Sequence, residues 1–169
     1  MKVRHLVPAY SQHLHIKDPK WRKKSCGIVS LAMLLEYSGR KTKPDDLLKL
    51  GLKIDAYLPG IGWKHRSLVE LAKKYGAKGK NFDWAKLDLN IAVPQLKIHL
   101  KKHPLLASIY NAFNPKRGGH LIVLVGMEKN KIFYHDPDAK KNIRRSVSLK
   151  KFLTGWKKRI IVISNPVKN

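Results

Sequence analysis

One cysteine stands alone in the 169 residues, Cys26, in the stretch "KKSCGIVSLAMLLEYSG". A single cysteine on its own reads as an ordinary buried thiol. Its setting argues for chemistry: the residues after it form an apolar run with the look of a buried helix, so Cys26 falls at a helix N-terminus. Unpaired N–H groups and partial positive charge collect there, and both stabilise the thiolate that attacks carbonyl carbon. Lys20, Arg22, Lys23 and Lys24 add positive field just upstream.

A nucleophilic cysteine needs a base, and the base needs a group to orient it. His120 is the best placed of eight histidines, because it follows "RGG" and opens the strongest strand, "HLIVLVGME". A tight turn at Lys129-Asn130 leads to "KIFYHD". Pairing residue 126 with 131 sets His120 opposite about residue 137 and beside Asp136, as a cross-strand neighbour that side chains can reach. A one-residue slip would turn them to opposite faces. Asp136 could instead cap a turn before Pro137, and His135 is a rival base, although neighbours on a strand point to opposite faces. The Cys26 backbone N–H would be one donor to an oxyanion, and the side chain of Gln12 is available as a second.

Elements must hold these groups in place. A helix is expected over 26 to 38, ended by Gly39, then a short one from Pro44 to about Leu50. Others follow from about Lys64 to Tyr75 and from about Val93 to Lys102. "DAYLPGIGW" reads as a loop and residues 1 to 22 as irregular. Tyr57 and Trp63 flank that loop as candidate cleft walls, and Tyr110, Asn111 and Phe113 stand on the histidine side. Strands are expected at 104–110, 120–128, 131–136 and 159–164, with another in "NIRRSV". A short helix capped by Ser148 falls in "SLKKFLTGW". Helices first and an antiparallel sheet after is an α+β order.

These residues taken together resemble a known family. "VPAYSQ … SCGIVSLAMLLEYSG … GGHLIVLVGME … IFYHDPD" is similar to the papain-like bacteriocin-processing peptidases, which cut leader peptides after a double glycine, and most of all to their stand-alone relatives without a transporter. The match runs from residue 7 to about 138. It implies a papain-like cysteine peptidase fold, N-terminal helices packed on a C-terminal antiparallel sheet, and hydrolysis through a thioester. By motif, Cys26 is the nucleophile, His120 the base, Asp136 the orienter and Gln12 the oxyanion donor. Two positions depart from the family pattern: Ile28 stands where Pro usually follows Cys-Gly, and Lys20 stands six residues before the cysteine, where a Gln is common.

The bulk numbers set the frame. One domain spanning 1–169 is expected from length, and 43% hydrophobic residues suit a globular core. One cysteine excludes an internal disulfide and a zinc site built on several cysteines. His13, His15 and Asp18 have chelating proximity, but no further ligand can be placed, so neither metal nor cofactor is expected. No apolar run approaches a membrane span, and no secretory leader is visible, which predicts a cytoplasmic protein. Thirty-six Lys and Arg against eleven Asp and Glu give a net charge of +25. The lysines are scattered, so this is either general lysine bias or a field for an acidic partner. The expected partner is a peptide or protein substrate, with an acidic one favoured if the charge serves function. Two alternatives stay open: an acyl-transfer enzyme with the same triad, and a non-catalytic binding module for nucleic acid or an acidic polypeptide, for which no RNA-binding motif speaks.

Overall fold

A computed structural model describes residues 1–165. In chain order the elements are β1 (Lys2–Arg4), α1 (Gln12–His15), α2 (Pro19–Arg22), α3 (Cys26–Tyr37), α4 (Pro44–Lys53), β2 (Tyr57–Leu58), β3 (Gly62–Trp63), α5 (His65–Lys74), β4 (Lys78–Asp83), α6 (Leu89–Lys102), β5 (Leu105–Tyr110), β6 (Gly119–Glu128), β7 (Lys131–His135), β8 (Arg144–Ser148), α7 (Leu149–Gly155) and β9 (Trp156–Ser164). Among the described residues seven strands form an antiparallel sheet in the order β4-β9-β5-β6-β7-β8, with β1 added along β6.

The sheet is covered on both faces. The core on one side joins α3, α4 and α5 to Leu106, Leu121, Val123, Val125 and Ile161. The core on the other joins α6 and α7 to Leu105, Ile122, Leu124, Met127 and Ile160. This double covering is why β5 and β6 read as unbroken apolar runs and not as alternating ones. It also refines the expected layering, since α6 and α7 lie across the sheet from the helices that precede them. Every residue of α3 from Gly27 to Leu35 is buried, as an all-apolar helix must be.

The predicted helices and the later strands are all present, with ends within a few residues. α6 begins earlier than expected: Pro94 lies inside it and not at its start, because Asp88 accepts the first amides and Ala92 is buried against the sheet. Two regions read as irregular or loop are ordered, and one strand appears where no element was expected. Residues 1 to 22 hold β1, α1 and α2; "DAYLPGIGW" holds the hairpin β2–β3; and "KGKNFD" is β4, an edge strand whose side chains are mostly exposed, so no apolar pattern announced it. No described helix is long and apolar enough to cross a membrane.

Candidate active site

Cys26 is the first residue of α3, where it is half-buried. The hydroxyl of Ser25, which precedes the helix, donates back to the Trp21 carbonyl at 2.8 Å, and no described side chain caps α3. The first amides of the helix are thus left for a ligand. Gly27 is required here: a Cβ on it would lie 2.8–2.9 Å from Trp63 ring and Cβ atoms. Trp63 is itself tied to the Lys24 carbonyl through its indole N–H at 2.6 Å. The indole therefore packs closely against the turn that carries the sulfur.

His120 is the second residue of β6 and is buried. Its Nε2 shares a 2.9 Å hydrogen bond with Asp136 Oδ1. Cys26 and His120 line the same cleft. Burial alone would push the His120 pKa down. The hydrogen bond to Asp136 and the nearby Cys26 outweigh it, and the ring is raised to about 10. Asp136 moves the opposite way: burial raises it, but the bond to His120, the Asp138 N–H and the charge of Arg145 together hold it below the usual carboxylate range.

The meeting of His120 with Asp136 depends on a bulge. Glu128 faces Lys131 across the turn, two residues off the expected pairing, and that register continues to Gly126 facing Phe133. Carried further, it would set Asp136 against Val123, whose side chain enters the core under α3. A shift between Leu124 and Gly126 puts one extra residue in β6, so that Val123 faces His135. Asp136 then falls in line with Ile122, on the same face as His120. Gly126 is the hinge of this bulge. A Cβ there would lie 2.3 Å from the Val3 carbonyl oxygen of β1.

Gln12 opens α1 and is buried. Its backbone N–H donates to the Pro137 carbonyl at 2.8 Å, and its side-chain amide donates to Asp138 Oδ1 at 2.8 Å. A primary amide has two N–H donors, and among the described residues only one is engaged. The Asp138 N–H in turn donates to Asp136 Oδ1 at 3.1 Å, so Gln12 is laced to the loop that carries the acid. Lys20, six residues before the cysteine, lies exposed on α2 and faces no part of the site.

The remaining candidates separate cleanly. His135 points away and bonds the Pro8 carbonyl at 3.2 Å. His13 pairs with Asp138 and His15 with Ser11, both on the helix α1 and not on an extended segment, and no group of described residues is arranged to hold a metal. Trp63 lines the cleft, whereas Tyr57 packs edge-on against Trp63 and Trp21. Asn111 and Phe113 border a second pocket behind His120. Three contributors were not foreseen. Arg145 on β8 binds the outer oxygen of Asp136 at 3.2 Å. Ser108 and Arg159, paired across β5 and β9, line the cleft beside Leu121. Arg145 had no signal in a stretch of surface-like charges, since only the pairing of β7 with β8, Tyr134 against Arg145, brings it there.

A half-buried thiol at an uncapped helix start shares a cleft of about 290 Å³ with an imidazole that is hydrogen-bonded to a carboxylate. Residues 5–160 match the model of the Peptidase_C39 like family. The chain belongs to this family. It is a papain-like cysteine peptidase, a hydrolase. The C39-type fold extends over the whole molecule: a protein described as a C39-like peptidase from Bacillus anthracis superposes with a TM-score of 0.72 at 18% identity, covering 99% of this chain and 100% of that one. A double glycine motif protease from an AMS/PCAT transporter, crystallised with its leader peptide, gives 0.66 at 19%, covering 98% and 99%. The peptidase domain of Streptococcus ComA gives 0.66 at 20%, covering 85% and 93%. No curated protein matches the chain.

Proposed function

We propose that this C39-type peptidase cleaves peptides at small residues through Cys26, His120 and Asp136, with Gln12 as oxyanion donor. The observation that supports it most is the 2.9 Å hydrogen bond between Asp136 and His120 in a cleft that His120 shares with Cys26. His120, held by Asp136, carries the proton given up by the thiol, and the thiolate beside this imidazolium attacks the scissile carbonyl. The Cys26 N–H and the second amide N–H of Gln12 hold the oxyanion. The imidazolium gives its proton to the departing amine, which leaves a thioester. Water, deprotonated by His120, then adds to the thioester and releases the acid and the free thiol.

The transporter protease with which this chain shares its fold is a double glycine motif protease, and the bulk of Trp63 in the cleft lining favours small residues there. A reducing compartment such as the cytoplasm would keep the lone thiol active. The test is turnover of fluorogenic Gly-Gly peptides by the purified protein and by its Cys26→Ala variant, with a mass spectrum of the stalled thioester. Cleavage by the wild type alone, with an acyl adduct on Cys26, is the expected result. Products joined to an added amine in place of free acids would make the enzyme an acyl transferase, and equal cleavage by the alanine variant would end the proposal.

A further inference from the structure

Lys157 does not follow the path of its strand. β9 pairs with β5 in regular register down to Ser108 facing Arg159, and then Ile109 faces Trp156. Lys157 and Lys158 are therefore extra residues on one side of the ladder. Lys158 takes up the irregularity with a φ of 53°, which a residue with a side chain rarely adopts, and its ammonium is spent on the Leu87 carbonyl at 2.6 Å. Bulges re-aim neighbouring side chains, and this one turns Lys157 into the cleft. Its Nζ sits 4.9 Å from the centre of the Tyr110 ring and 3.4 Å from where a Cβ of Gly119 would be. Gly119 adjoins His120, and Lys157 shares the cleft with Cys26. Among the described residues no carboxylate lies within ion-pairing reach of this ammonium.

Arg159 stands on the same wall. It gives Nε to Asp83 at 2.9 Å, and a guanidinium has further N–H donors to offer. His65 completes the region; burial first, and then the charges of Arg159 and Lys157, hold its pKa low, so it brings no charge of its own at neutral pH. Ile61 and Trp63 add apolar surface to the cleft. The wall thus carries two cations and one acid in the cleft of the nucleophile, with one cation unanswered.

We propose that this wall is a subsite for an acidic side chain of the substrate, placed within about two residues of the scissile bond, with Lys157 as its main partner and Arg159 as the second. The proposal rests on the peptidase reading and adds its charge preference. A lysine acts here as a point charge and an arginine as a directional fork, so the pair tolerates either Asp or Glu.

The test uses peptides with Gly-Gly before the cut that carry Glu or Gln at one of the two positions after it. The ratio of kcat/KM for each Glu–Gln pair is insensitive to the fraction of protein folded. The expected ratio is about tenfold in favour of Glu at one position, about one ion pair's worth, shrinking in 1 M salt as charges are screened. It should fall to near one in Lys157→Gln and invert in Lys157→Glu. The same peptides are bound to the Cys26→Ala protein and followed by fluorescence anisotropy. Tighter binding of the Glu peptide that depends on Lys157 supports the subsite even if no peptide is ever cleaved, in which case the peptidase reading alone fails. Equal ratios at every position together with equal binding, or a Glu preference that survives both Lys157→Gln and Arg159→Gln, overturns the subsite.

Discussion

The two halves of the candidate site are built in opposite ways. The sulfur half is regular: α3 is an unbroken buried helix, and Cys26 gains its place merely by being first in it. The acid and base half is irregular. His120 and Asp136 share a face only because β6 carries a bulge, and Lys157 enters the cleft only because β9 carries another. A helix fixes where a group sits and offers its terminal amides. A sheet fixes which face a group points to, and a single extra residue reverses that choice. Regularity serves position here, and interruption serves direction.

The largest effect should come from the regular half. Cys26→Ala is expected to lower kcat by more than about 10³-fold without changing the melting temperature, as loss of a nucleophile does elsewhere; turnover within tenfold of wild type would remove the sulfur from the comparison. Next is the acid at the end of the bulged hairpin. Asp136→Asn should lower kcat between about 10- and 10⁴-fold, since it releases the imidazole from its tautomer and orientation, and it should bring down the His120 midpoint. Gln12→Ala, the proposed oxyanion donor, should cost up to about 10²-fold with KM little changed.

Two glycine variants set the halves side by side. Gly27→Ala forces a Cβ into Trp63, and Gly126→Ala forces one into the Val3 carbonyl. Each should cost about 1–3 kcal/mol in urea unfolding, in the range of overpacking. Their effects on activity should differ in kind. Gly27→Ala moves a cleft wall and should raise KM, whereas Gly126→Ala disturbs the bulge that aims Asp136 and should lower kcat. If both act on the same constant, the division between position and direction does not hold.

The pH dependence sharpens the same point. The folded pKa of His120 is raised to about 10 from 6.5, so its contribution to stability is full below pH 6.5 and is lost as pH rises toward 10. Asp136 is lowered from 3.8, so its contribution is full above that value and is lost as pH falls below it. The pair stabilises the fold most between about pH 4 and 6.5. Urea midpoints across pH should show the alkaline decline in wild type and lose it in His120→Gln, and ring resonances of His120 should report the protonated form throughout neutral pH. The smallest effect is expected at the rim: Arg145→Ala frees only the outer oxygen of Asp136 and should lower kcat a few-fold, with Arg145→Lys partly restoring it, because a half-exposed ion pair contributes only about 1 kcal/mol.

Much of this molecule is legible in one dimension. An apolar run bounded by Ser25 and Gly39 can only be a buried helix, so the place of Cys26 follows from local composition. The apolar strands and the turn at Lys129-Asn130 follow in the same way, and they bring Gly-His and Asp-Pro to one end of a hairpin. The edge strand β4, the short helices before residue 22 and the hairpin through Gly62 were not legible, because their residues are polar or few and are held by partners distant in the chain. The register, too, was closed to pattern reading. It was set by the close approach of Val3 to Gly126 and by the packing of two cores against opposite faces of one sheet. Residue type and spacing therefore determined which groups are present and which helix or strand carries them. Tertiary structure decided where Asp136, Arg145 and Lys157 point, because direction in a sheet depends on a one-residue count that only contacts between remote strands can settle.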